Sequence, residues 1–474
     1  MDTFPLLAEQ ETLLFLNHLL GPGVAHNLAV EHPLPADADP GRVAGLVDEL
    51  VRRQGALRSA IAGAQQAYGP VDPALVVSDV DDVAGAIRGR LAALYYRELH
   101  PPAVPRRARF ELLRDGRAQV LLVLLDHLAS DGLSLGVLAD QLERLRTVPD
   151  RQSAPADYRA FCRRRADEVR RRRTREIDVW RRALRGVPPL RGLFPSHPPG
   201  PWVRTHRDST YPGGELPDRL RRLNARLGTP AFTTVATLTS IALWRRTGQR
   251  DFVIQTPVST RRTAEADDVV GYLINDRPIV CRIDPDRTLA EHAGTVWRSC
   301  VRAFRNSYLS VPELLDAVPE YRATLDADDI DYVQLHVTTG SGRLPGSAAP
   351  DAAEVRRETH VLGPFTPARA LRCTTLRFDF AAERTSTRAF LGGSREHLGV
   401  AADLCDDVVN LLREAGADVH RRLARLGGQP RATRPPGGRS HGGRVAARPA
   451  GSAVPAGSVA PAVAAGSGAG GRSA

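Results

Sequence analysis

The 474-residue chain is long enough for two packed lobes, and its 42% hydrophobic and 25% charged residues are those of an ordinary globular protein. Its net charge of +11 rests on arginine alone, and Arg431, Arg434, Arg439, Arg444, Arg448 and Arg472 follow Gln429 with no acid among them. The rest of the chain is therefore only mildly basic. Without a nucleic-acid reading motif the charge argues against a nucleic-acid binder and leaves room for an acidic protein partner.

At the start, Met1-Asp2-Thr3-Phe4-Pro5 lacks the basic opening of a secretory leader. Asp39 as cap and Pro40 at the first helical position open a helix that Val43, Leu46, Val47, Leu50 and Val51 continue at helical spacing. Val83, Ile87, Leu91 and Leu94 predict a second helix with one apolar stripe. Phe110–Leu113 and Val120–Leu125 then read as a hairpin, with Asp115-Gly116 suited to a tight two-residue turn. Its second strand is apolar on both faces, the mark of a buried central strand. That strand delivers the chain to Asp126-His127-Leu128-Ala129-Ser130-Asp131-Gly132, after which Leu133, Leu135, Leu138 and Leu142 predict a helix. The motif thus occupies a strand–loop–helix junction.

Arg163–Arg175 reads as a solvated helix face ending near Trp180. Pro188, Pro189, Pro195, Pro198, Pro199 and Pro201 crowd the next stretch and exclude regular helix or central strand, which places an inter-lobe linker at 186–205. Beyond it, Thr233–Arg246 is predicted as a helix stopped by Gly248, and Phe252–Ile254 as a strand. Tyr272–Ile274 and Ile279–Cys281 read as extended. Thr288-Leu289-Ala290-Glu291 and Ser310-Val311-Pro312-Glu313 each match the capping box of a helix start. Tyr332–Val337 and Leu376–Phe380 read as strands, and a last helix is expected over Val400–Leu426. From 427 to 474 Gly, Pro, Ala, Ser and Arg replace aliphatic periodicity, so a disordered tail is expected. The reading therefore divides the chain into an N-terminal lobe (1–185), the linker, a C-terminal lobe (206–426) and the tail. Cys162, Cys281, Cys300, Cys373 and Cys405 show no paired spacing, and no apolar run approaches the roughly 20 residues of a membrane span. A cytoplasmic protein that neither crosses nor binds a membrane is expected.

Residues Asp126–Gly132 read DHxxxDG, which resembles the HHxxxDG signature of nonribosomal peptide synthetase condensation domains and their chloramphenicol acetyltransferase-like relatives. Further segments resemble that family in order: Pro5–Gln10, Arg53–Arg58 with Ala56-Leu57-Arg58 intact, Asp157–Phe161, Thr256–Arg261 and Val270–Asn275. Asp126 stands in place of the first histidine, and Asp276 where many relatives have threonine. The resemblance implies an α/β (α+β) fold of two chloramphenicol acetyltransferase-like lobes, a pseudo-dimer with a central substrate tunnel. It implies His127 as the catalytic residue, assisting the acceptor nucleophile either by taking its proton or by holding the developing charges, supported by Asp131 in an ion pair with Arg261 and by Gly132, which lets the backbone pass close to substrate. Asp126, Ser134 and Asn275 are expected along the tunnel. No cofactor and no metal are implied: the donor is a thioester on phosphopantetheine or coenzyme A, the partners are an acyl or peptidyl carrier protein and a small amine or alcohol.

Elementary chemistry fits this implication, because a neutral imidazole with a reference pKa of about 6.5 can take a proton from an attacking amine or hydroxyl. Consecutive strand residues point to opposite faces, so Asp126 is expected to make a local hydrogen bond or ion pair rather than a dyad with His127. Two other functions compete. An inactive recruitment module is one; a serine hydrolase is the other, since Gly132-Leu133-Ser134-Leu135-Gly136 matches GxSxG. The hydrolase elbow needs its glycine at the strand end, and this strand stops near His127.

Overall fold

A computed structural model describes residues 3–20, 27–94, 99, 101–147, 157–194, 203–326, 330–339, 356–364, 372–382, 384–393, 395–416 and 418–426. The first half forms β1 (Thr3–Pro5), α1 (Ala8–Leu20), β2 (Leu28–Leu34), α2 (Pro40–Arg53), β3 (Ser59–Ala62), β4 (Gln65–Tyr68), β5 (Leu75–Asp79), α3 (Val83–Leu94), β6 (Ala108–Arg114), β7 (Gln119–Leu125), α4 (Gly132–Thr147) and α5 (Tyr158–Leu184). Helix α2 begins as its sequence dictates: the Asp39 carboxylate accepts from Arg42 N, and Val43, Val47, Leu50 and Val51 are buried. These four pack with Leu121, Val123 and Leu125 of β7, a central strand of the sheet ordered β2-β7-β6-β5. β1, β4 and β3 make a separate three-stranded sheet.

In the hairpin β6 and β7 pair antiparallel with Arg114 opposite Gln119, so the loop is Asp115–Ala118, two residues longer than the Asp-Gly reading. Only Gly116 has positive φ, at 79°, and Asp115 Oδ1 instead accepts from Arg117 N (2.9 Å) and Ala118 N (2.8 Å). The aspartate side chain shapes the turn, which removes the need for a second left-handed residue.

The second half forms β8 (Val203–Pro212), α6 (Glu215–Leu227), α7 (Ala231–Thr247), β9 (Asp251–Ser259), α8 (Ala264–Asp268), β10 (Ile274–Arg282), α9 (Leu289–Arg305), α10 (Val311–Ala317), α11 (Pro319–Asp326), β11 (Asp331–Thr339), β12 (Arg356–Pro364), β13 (Arg372–Ala381), β14 (Arg384–Gly393) and α12 (Arg395–Ala415). Its strands join in one sheet ordered β10-β9-β11-β13-β14-β8-β12, with β11 parallel to β9 and β13. Val333 and Leu335 of β11 enter the large apolar core together with Leu238 and Ile241 of α7 and Val408 of α12. By strand alternation Gln334 and His336 face the other way. The Thr288 capping box is complete, whereas at Ser310 only the hydroxyl half forms, because Glu313 turns to Arg173 at 2.5 Å.

Two expected boundaries move. Ile177, Trp180 and Leu184 of α5, and Val187, Leu190, Leu193 and Phe194 after it, are buried in the large core, so 186–194 is packed chain. Residues 195–202 of the predicted linker, and the tail 427–474, lie outside the described residues. Helix α12 starts earlier than expected and ends at Ala415; a short 3-10 turn follows at Leu423–Arg425. One further segment crosses between the halves: Val270 packs with Val47 and Leu125, and Ala266, Val269 and Leu273 pack with Phe4, Tyr158 and Phe161.

Candidate active site

The central strand β7 stops at Leu125, and the next residues make a short 3-10 turn at His127–Ala129. Asp126 caps this turn, its Oδ1 accepting from Leu128 N at 2.9 Å. Its Oδ2 accepts from Arg107 Nη1 at 2.7 Å, and Arg107, 1% exposed, also donates to the carbonyls of Ser59, Pro101, Pro102 and Val104. Both carboxylate oxygens are thereby engaged inside the fold, and a buried ion pair stands where the family signature has its first histidine. Removing one partner from such a pair costs about 3–5 kcal/mol, because the other charge is left uncompensated.

His127 points the opposite way and is part-exposed. Its Nδ1 lies 2.7 Å from the Ser130 carbonyl oxygen, an acceptor, so Nδ1 carries the proton and Nε2 keeps its lone pair. The Tyr272 ring meets the imidazole edge-on, with centroids 5.0 Å apart and planes at 85°. Burial pushes the imidazole pKa below its ordinary value, opposed by the Ser130 carbonyl and by the Asp131 and Asp126 charges. An imidazole that is neutral at neutral pH results.

Asp131 and Ser134 close the loop onto the second half. Arg261 Nη2 donates to Asp131 Oδ1 (3.0 Å) and Oδ2 (3.1 Å) and to Ser134 Oγ (3.0 Å), while Nη1 donates to the Val269 carbonyl at 2.8 Å. Asp131 Oδ2 also accepts from Leu273 N at 3.1 Å, and Ser134 Oγ donates to the Gly271 carbonyl at 3.0 Å. Ser134 is fully buried and its hydroxyl is saturated, so it neither lines a tunnel nor acts as a nucleophile. Gly132 opens α4 in an exposed position, and a Cβ there would meet no protein atom within 4 Å; packing alone does not demand glycine.

Asn275 is likewise sealed in, correcting its expected place on a tunnel wall: Nδ2 donates to Ser307 O (3.3 Å) and Leu309 O (2.8 Å), and Oδ1 accepts from Thr12 at 2.9 Å. It staples α1 to the loop before α10. Beside it Asp276 is buried, its carboxyl pushed up to about 6 by burial, and it accepts from Gln334 Nε2 at 2.9 Å.

Several positioning groups have no assigned role in the sequence reading. Gln10 Nε2 holds the Leu128 carbonyl at 2.9 Å, fixing the loop from α1, and Gln54 Oε1 accepts from Val270 N at 3.0 Å. Gln10 falls within the quoted Pro5–Gln10 segment and Gln54 within Arg53–Arg58, and that membership is the signal for each. Among the described residues no group of three or more His, Cys, Asp or Glu is arranged to hold a metal, and no helix is long and apolar enough to cross a membrane.

The condensation-domain family model matches residues 105–333, a span that runs from the strand before the His127 loop through Arg261 and Asn275 to β11. Over that span, a little under half of its length, the chain is similar in sequence to the condensation-domain superfamily. Condensation domains in general are acyltransferase-type enzymes of nonribosomal peptide and polyketide systems. Phosphinothricin tripeptide synthetase PhsC of Streptomyces viridochromogenes is 34% identical over 217 residues, 43% of this chain and 20% of that protein, so this condensation-type chain spans about a fifth of that relative. The condensation domain from monacolin K polyketide synthase MokA has the same two-lobed fold, with a TM-score of 0.68 at 15% identity over 90% of this chain and 99% of that one. The X-domain from teicoplanin biosynthesis, seen in complex with OxyB, gives 0.64 at 19% identity over 90% and 96%. At these identities the likeness of the two solved structures is one of fold.

Proposed function

We propose that this chain is a condensation-type acyltransferase that moves an acyl or aminoacyl group from a carrier-bound phosphopantetheine thioester, or a coenzyme A thioester, to an amine or hydroxyl, making an amide or ester. The observation that carries the reading is the His127 ring: a part-exposed imidazole whose Nδ1–H is held by the Ser130 carbonyl, leaving a neutral Nε2 lone pair. The acceptor's N–H or O–H gives its proton to Nε2 as the nucleophile bonds to the thioester carbonyl carbon. The C–S bond then breaks, and the departing thiolate takes the proton back from Nε2. His127 is the group that moves the proton; Asp131, Arg261 and Gln10 hold its loop in place.

His127→Ala is expected to lower turnover by about 10²–10⁴-fold while leaving the fold intact. Intact-mass detection of acyl transfer from a panel of carrier-bound and coenzyme A-bound donors reads the loss; an unchanged rate overturns the proposal. A second reading, an inactive recruitment platform, is favoured by the burial of Asp126 in an ion pair where the family has its first histidine. It predicts that product formation in the host pathway survives His127→Ala.

A further inference from the structure

The polar face of β11 holds two side chains in sequence, and the protein treats them differently. Gln334 is fully engaged: its Nε2 donates to Asp276 and its Oε1 accepts from Thr375 Oγ1 at 3.2 Å. His336, one step further along the same face, has an Nε2 that is buried without a hydrogen-bond partner. Leaving a buried donor or acceptor unmet costs about 1–3 kcal/mol, a cost that an incoming polar atom would remove. The ring lies within electrostatic reach of His127, since a proton on one would disfavour a proton on the other, and Arg377 is its partner in register on β13. Burial, the Arg377 charge and any positive charge on His127 push its pKa down to about 3, so it stays neutral. A neutral imidazole still carries one N–H.

We propose that His336 is a second substrate-contacting ring of this site, its Nε2–H donating to the carbonyl oxygen of the acyl donor as that oxygen gains negative charge. The inference rests on the acyl-transfer reading above. It assigns the two rings complementary work: His127 Nε2 accepts the nucleophile's proton, and His336 steadies the oxyanion on the same carbon. A prearranged donor of this kind is worth about 10²–10³-fold in rate.

The test has a kinetic and a spectroscopic arm, both on the full chain. His336→Leu is expected to lower kcat about 100-fold with KM within about 3-fold, and His336→Gln, which restores an N–H donor, to recover most of that loss. A His336→Leu variant that folds and turns over within about 3-fold of the parent overturns the inference. In the second arm, histidine ring ¹⁵N signals are followed as S-acetonyl-pantetheine is added, a probe with a ketone in place of the thioester. Movement of both rings is expected. If His127 responds and His336 does not, the inference fails and the acyltransferase reading stands. If neither ring responds and no donor is turned over, the acyltransferase reading fails and takes the inference with it.

Discussion

Two aspartates on either side of one histidine illustrate how little a motif letter says about a side chain's job. Asp126 and Asp131 flank His127 in sequence, and neither hydrogen-bonds its Nε2: the first is bound to Arg107, the second to Arg261. What they add to the ring is negative potential, which partly offsets the burial that lowers its pKa. Since a general base works unprotonated, a lowered pKa in the proposed role moves the loss of activity to more acidic pH. The acid limb of kcat/KM is therefore expected below the ordinary imidazole value of about 6.5, which serves as the upper bound. A pH–rate profile whose acid limb lies above that bound contradicts the assignment of His127 as the base.

At the scale of elements, the loop from Asp126 to Asp131 is held from four directions: β7 before it, α4 after it, α1 through Gln10, and the 266–273 segment through Arg261 and Ser134. Ser134→Ala removes the hydroxyl that serves Asp131 N, Gly271 N and Gly271 O. It is expected to destabilise the protein by about 1–3 kcal/mol in urea unfolding, through orphaned backbone groups, while leaving acyl transfer by the folded enzyme largely intact. Abolished turnover in a folded variant would instead revive the hydrolase elbow. Much of this arrangement is legible in the sequence. The apolar run Val120–Leu125 announces a central strand ending at the motif, and Asp39-Pro40 announces α2 by local chemistry alone. Less legible are β8, β12 and β14, strands rich in Arg, Thr and Ser that hold their place through pairing with distant strands rather than through an alternating pattern. The expected tunnel residues Ser134 and Asn275 fail for a related reason: a polar letter does not reveal whether its partner is substrate or another part of the chain. Only the partners' positions decide, and for each residue at least one of them, Gly271 for Ser134 and Thr12 for Asn275, lies more than a hundred residues away in sequence.

For the molecule as a whole, buried titrating groups make stability a function of pH in two opposing directions. His292 and His336 are held neutral down to about 4 and about 3. The unfolded chain protonates these rings near pH ~6.5, so stability falls on acidification, by about 1.4 kcal/mol per pH unit for each group. Asp276 acts in reverse. Its folded pKa of about 6 exceeds the unfolded value, so its stabilising contribution is present at low pH and is lost as pH rises through about 6. Asp276→Asn keeps the acceptor for Gln334 and removes the buried charge. Above pH ~7 it is expected to be more stable than the parent by up to about 3 kcal/mol, a gain that vanishes near pH ~4; paired urea titrations at the two pH values read the difference.

The crossing segment carries a consequence for how this protein can be made and divided. With Val270 and Leu273 lodged among residues from the opposite end of the chain, and Arg261 supplying the counter-charge to Asp131, a polypeptide stopped at Phe194 would present an empty apolar socket and a stranded carboxylate. Its histidine would be present but unmoored. Co-production with the remaining sequence, able to plug that socket, would restore the Asp131–Arg261 pair and the packing around the loop.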